Sequence, residues 1–192
     1  MNTQAHKEDL TRETVHDWLM SYSQGGENDY ILACIISSWL TGEGVLSDWL
    51  GLGQENFIAL LGFHFPGIDF YSMVNPGRDL DKSRLDEREE LLQLLSSHYA
   101  GKFIAEQWIA EIVVDACQGQ NHLWQDLGLW SRKDLTQLMA QNFPTLAARN
   151  DKDMKWKKFL YKQLCIAEGI YTCRAPSCQV CVDYAQCFGP EE

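Results

Sequence analysis

The chain has 192 residues, 45% of them hydrophobic, with 16 basic and 27 acidic side chains and a formal net charge of -11. That length suits one domain, or one domain with a small appendage. The acidic balance argues against a nucleic-acid partner, which needs a cationic surface, and no apolar run approaches the roughly 20 residues required to cross a bilayer. The first ten residues are polar and lack the pattern of a secretory signal, so the chain is expected to be cytoplasmic and away from membranes.

Apolar residues at Leu10, Val15, Trp18, Leu19 and Tyr22 follow a 3.6-residue period and predict a first helix over 8–23. Gln24-Gly-Gly-Glu-Asn28 interrupts it. Asp29 is the expected N-cap of a buried helix through Leu40, with Cys34 as a core residue inside its apolar run. Glycines 42, 44, 51 and 53 punctuate the next section, leaving a short helical turn within 45–50 and a short helix over 56–63. His64, next to two phenylalanines, reads as a packed histidine, and 68–80 as a long loop.

The segment 81–98 is amphipathic. Leu85, Leu91, Leu92, Leu94 and Leu95 form its apolar side, and Arg84, Asp86, Glu87, Arg88 and Glu89 read as a solvated face. A more apolar helix is expected over 102–117, with Cys117 in the core. His122 follows in Asn121-His-Leu-Trp-Gln-Asp-Leu-Gly-Leu-Trp130 and leaves two readings open: a histidine tying down a turn, or a nitrogen ligand or proton donor near a metal. Ser131 caps a helix over 132–142 that Phe143-Pro144 ends. With no strand alternation, the fold class is all-α. A compact helical domain over 1–168 carries an irregular cysteine-rich metal-binding tail, 169–192, packed on it.

The helix leading to that tail, 154–168, places Trp156, Phe159, Leu160, Leu164 and Ala167 on one face. It lies at the end of a basic window: 149–162 carries six basic and two acidic residues. Lys155, Lys158 and Lys162 run along its side, either as a solvated stripe or as a cationic flank that would offset a bound cluster's charge or attract an oxyanion. Cys165 projects near Lys158 and Lys162, not with the apolar face. It is either a functional thiol or fifth ligand, or an inert residue.

Four of the seven cysteines fall within fifteen positions as Cys173-x4-Cys178-x2-Cys181-x5-Cys187. In a reducing cytosol such clustering points to thiolate ligands, and an odd total fits a disulfide framework poorly. Structural zinc takes four thiolates, usually from two knuckles set well apart. Iron–sulfur clusters draw on cysteines strung closely along one loop, and the spacing favours a cluster over zinc.

These residues resemble the NifQ family of nitrogen-fixation proteins. The resemblance rests on the terminal cysteine motif through Phe188-Gly-Pro190, on Met154-Lys-Trp-Lys-Lys-Phe-Leu-Tyr-Lys-Gln-Leu-Cys165, on Asn142-Phe-Pro144, and on His122-Leu-Trp-Gln-Asp-Leu-Gly-Leu129. It implies a carrier, not a turnover enzyme, that binds an iron–sulfur cluster and, when loaded, molybdenum. It also implies delivery of molybdenum to the scaffold complex for the nitrogenase iron–molybdenum cofactor, with the nitrogenase iron protein taking part; a monomer is expected. Cys173, Cys178, Cys181 and Cys187 carry over as metal ligands. Cys165 matches a family cysteine, and Lys158, Lys162 and His122 are further cofactor-binding candidates. A zinc-stabilised interaction module and a simple iron–sulfur electron carrier are the competing readings.

Overall fold

Two helices rich in buried apolar residues organise the interior. The computed structural model describes residues 11–69, 77–79, 85–102 and 104–167, and among these the regular elements are all helical. They are α1 (Arg12–Met20), α2 (Asp29–Leu40), a 3-10 turn (Asp48–Gly51), α3 (Gln54–His64), α4 (Leu85–Ser96), α5 (Ala105–Ala116), α6 (Leu123–Asp126), α7 (Arg132–Asn142), α8 (Pro144–Ala147) and α9 (Trp156–Ala167). In α2 every residue from Ile31 to Trp39 is buried, and α5 is buried at Ile109, Ala110 and Ile112 through Ala116. A helix as apolar as α2 belongs in the centre, while α5 turns its apolar face inward and leaves Gln107 exposed. Cys34 and Cys117 are fully buried there, as expected of small hydrophobes.

The other elements close over this pair. α1 packs along α2, α4 lies against α5 and α9, and α3 and the 3-10 turn contact α5. Thr11 caps α1 by accepting from the Thr14 N–H, and Ser131 caps α7 by accepting from the Asp134 N–H, each satisfying an otherwise orphaned donor. No helix among the described residues is long and apolar enough to cross a membrane.

Several expectations change. The N-cap of α2 is Asn28, not Asp29. Asp29 is turned inward, where its carboxylate accepts from the Ser23 hydroxyl (2.5 Å), the Gly26 N–H (2.9 Å) and His64 Nδ1 (2.7 Å). His64 is indeed packed, 5% exposed. The charged side of α4 is more than a solvated face. Arg88 turns inward, its guanidinium 3.4 Å from the Gly51 carbonyl and 3.9 Å from Asp115, while Glu87 accepts from the Tyr161 hydroxyl at 3.2 Å. Pro144 opens the short α8, because proline at the first helical position forfeits no needed N–H. The helical turn expected within 45–50 falls at Asp48–Gly51, and it contains Trp49 and Leu50 at φ 58° and 57°. Left-handed backbone at two bulky residues is strained, and Asp115 holds the turn by accepting from the N–H and hydroxyl of Ser47 at 2.8 and 2.9 Å.

Candidate metal centre

The element that precedes the cysteine-rich tail in the chain is α9, and its sequence dictates how it is held. Six consecutive residues, Trp156 through Tyr161, are buried. The segment before it is tied by Asn150, which accepts from the Met154 N–H (2.8 Å) and donates to the Met154 carbonyl (2.9 Å). Arg132 grips Asp153 through two nitrogens at 2.6 and 2.8 Å.

The most deeply buried tie is ionic. Lys157 Nζ donates to the carboxylate of Asp126 at the end of α6 and, at 2.9 Å, to the Gly119 carbonyl. Both side chains are out of water, at 7% and 1% exposure. Asp126 also accepts from the N–H and the side-chain amide of Asn121, at 3.0 and 3.1 Å, so its charge is surrounded by donors. Replacing a water shell this completely is what allows a carboxylate to stay buried. The sequence reading missed this pair, though a signal was present: Lys157 stands three positions from Leu160 and seven from Leu164, on the apolar side of the helix.

The named site residues fall along this assembly. His122 is half-buried at the N-cap of α6, and its N–H donates to Gln125 Oε1 at 3.2 Å. Lys158 is only 7% exposed, so the lysines do not form a uniformly solvated stripe. Lys162 is exposed, with its ammonium turned back toward the start of the helix, 3.9 Å from Met154 Sδ. Cys165 is 8% exposed, one turn beyond the buried Tyr161. The loop bearing His122 therefore meets α9 at Lys157, eight residues before Cys165. At 1.5 Å per residue that is about 12 Å along the helix axis.

Cys173, Cys178, Cys181 and Cys187 lie outside the described residues, as does all of 168–192. Among the described residues no group of three or more His, Cys, Asp or Glu side chains is placed to hold a metal ion. The candidate donors are those of the sequence motif, the four terminal cysteines, with Cys165 and His122 as candidate additions. Soft thiolates suit iron, sulfide-bridged clusters and zinc far better than calcium or magnesium.

The NifQ family model matches residues 31–189, a span that includes all four terminal cysteines. The chain is 41% identical to Protein NifQ of Azotobacter vinelandii, over 97% of each chain. It is 36% identical to Protein NifQ homolog of Sinorhizobium fredii, over 86% of this chain and 73% of the relative, and 34% identical to Protein NifQ of Rhodobacter capsulatus, over 84% and 88%. No solved structure matches. Similarity that runs nearly end to end and takes in the cysteine motif leaves one assignment: the chain belongs to the NifQ family, and its role lies in nitrogen fixation.

Proposed function

We propose that this chain is an iron–sulfur carrier of molybdenum that supplies the metal to the scaffold on which the nitrogenase iron–molybdenum cofactor is built. The observation that carries the reading is the Cys173-x4-Cys178-x2-Cys181-x5-Cys187 motif within the family-matched span. Four thiolates on a short stretch can share a cluster whose irons are reached separately, and sulfide ligation retains molybdenum that would otherwise leave as soluble molybdate. The protein is a donor rather than a turnover enzyme: its cargo leaves with the acceptor. The fastened α9 supports this reading, since it gives the cargo-bearing segment a fixed point of departure from the helical body.

The test is metal and acid-labile sulfide analysis of protein purified without oxygen, read beside its visible spectrum. Iron, sulfide and molybdenum in a brown protein are expected. A colourless protein that retains only zinc after anaerobic reconstitution would point to a zinc-stabilised module. Reversible cluster redox without molybdenum uptake would point to an electron carrier.

A further inference from the structure

The 24–29 loop and the last turn of α3 enclose a cavity of about 260 Å³, lined by that loop with Phe63 and His64. Pockets that enclose a whole small-molecule ligand run to roughly 300–1,000 Å³, so this one suits a single long side chain rather than a cofactor. Its walls are fixed. Asp29 is held by Ser23, the Gly26 N–H and His64, the Gly25 N–H donates to Ser23 Oγ at 3.0 Å, and Asn28 is locked to Asn142. The lining is also electronegative. Burial keeps His64 neutral at neutral pH, so it leaves the charge of the Asp29 carboxylate in place, and the half-exposed Glu27 adds a second. Lys102, 3.8 Å from Glu27, offsets one of the two, but an ion pair this exposed holds weakly.

Beside the cavity the surface turns apolar. Phe63 is 52% exposed and Ile104 is 61% exposed. The Phe63 ring stands edge-to-face with His64 on one side and Trp108 on the other, at centroid distances of 5.0 and 6.3 Å, so it is presented in one orientation. Ile104 has helical backbone and precedes Trp108 by four positions, which puts both on one side of α5. Phe63, Trp108 and Ile104 thus form an apolar shelf at the mouth of a charged pocket, the arrangement of an interaction surface rather than of scattered exposed residues.

We propose that this cleft docks a segment of a partner protein that presents an arginine next to large apolar side chains. The guanidinium enters the cavity beside the Phe63 ring, drawn by the charges of Glu27 and Asp29, and its apolar neighbours cover the shelf of Phe63, Trp108 and Ile104. Arginine fits better than lysine because its planar, weakly hydrated head pairs with a carboxylate and packs on an aromatic ring at once. A chain of net charge -11 attracts a basic segment from a distance and repels a second copy of itself, which leaves a basic partner as the occupant. The inference goes beyond the carrier reading and requires nothing of the metal site.

Two capped tripeptides, acetyl-Leu-Arg-Trp-amide and acetyl-Leu-Glu-Trp-amide, are titrated into the isotope-labelled full chain, and backbone amide shifts are followed by NMR. Saturable shifts are expected at Gly25, Gly26, Glu27, Phe63, Ile104 and Trp108 with the arginine peptide, and binding about tenfold weaker or less with the glutamate peptide. Phe63→Ser is expected to weaken the arginine peptide about tenfold, as loss of an interface anchor does, and Glu27→Gln severalfold. Both side chains are at least half exposed, so the variants are expected to fold, and unchanged shifts elsewhere in the spectrum check this. Should Phe63→Ser disturb the fold, Ile104→Ser, at a still more exposed position, is read in its place. The inference is overturned by an absence of saturable shifts at the cleft, by equal binding of the two peptides, or by wild-type affinity in the folded serine variant. Arginine amide alone binding as tightly as the peptide makes the cleft a pocket for small cations and overturns the docking role equally.

Discussion

Asn28 and Asn142 donate to each other's side-chain carbonyls across 114 positions of sequence, at 3.0 and 2.9 Å, and Asn142 donates also to the Leu138 carbonyl at 2.8 Å. Both residues are at most 3% exposed, so the entry to α2 and the exit of α7 are joined by a dry amide pair. Removing one partner leaves the other's donor and acceptor unpaired away from water. Asn142→Ala is therefore expected to destabilise the protein by about 2–3 kcal/mol, read by urea denaturation. Asn142→Asp, which cannot donate, should be at least as damaging at neutral pH.

His64 supplies a pH dependence. Burial holds its pKa below the usual histidine value, outweighing the opposite pull of Asp29. In the folded chain Nδ1–H donates to Asp29, and the buried Nε2 has no hydrogen-bond partner. An unfolded chain takes up a proton near pH 6.5, whereas the folded one waits until a lower pH. The contribution is thus complete above about pH 6.5, declines as pH falls from there, and levels off below the folded pKa. Denaturation of the metal-free protein between pH 5 and 8 should show this decline, and His64→Phe should flatten it. An unchanged slope in the variant would assign the dependence to other groups.

The lysines divide into one informative position and one confounded position. Lys162 is exposed, so Lys162→Glu should leave the helices intact. If a cationic flank guides an oxyanion, this reversal slows molybdenum loading and leaves iron content unchanged; equal loading returns Lys162 to an ordinary solvated role. Lys158 is buried, and Lys158→Glu is expected to lower the thermal midpoint before anything can be learned about loading.

Replacing Cys173, Cys178, Cys181 or Cys187 by serine, one at a time, is expected to remove most bound iron, because a hydroxyl is a poor substitute for a thiolate. Cys165→Ser keeps the size of the side chain on a formed helix. It is expected to lower the loaded metal without loss of helical signal in circular dichroism. Metal content equal to wild type would make Cys165 a packing residue, consistent with its burial.

Much of the helical body was legible because its elements obey simple periodicity. The runs around Ile31–Trp39 and Ile109–Ala116 could only be interior, and Ser131 announced the start of α7. What the sequence concealed depends on contacts between distant segments. Asp29 looked like a cap because caps are usually acidic or amidic, yet the partner that draws it inward, His64, is 35 positions away. Arg88 sits in a string of charges that suggested solvent, and only the approach of Gly51 and Asp115 shows it turned inward. Lys157 was one of six basic residues in a window whose overall charge hid the two buried ones, Lys157 and Lys158. For the candidate site, the donor types and their spacing were readable from sequence, as was the family. Spacing alone cannot specify what fastens the approach helix.

The complete burial of Cys34 bears on how the protein meets oxygen and labelling reagents. Its thiol is pushed up to about 12 by its apolar surroundings, so almost none of it is thiolate at neutral pH. Cys117 is likewise fully enclosed. Alkylation of the native protein is therefore expected to bypass these two of its seven thiols, and a reagent count taken before and after denaturation, made on a Cys165→Ser variant because Cys165 is also buried, reports on them. Oxidation by air is thereby directed away from these two interior thiols.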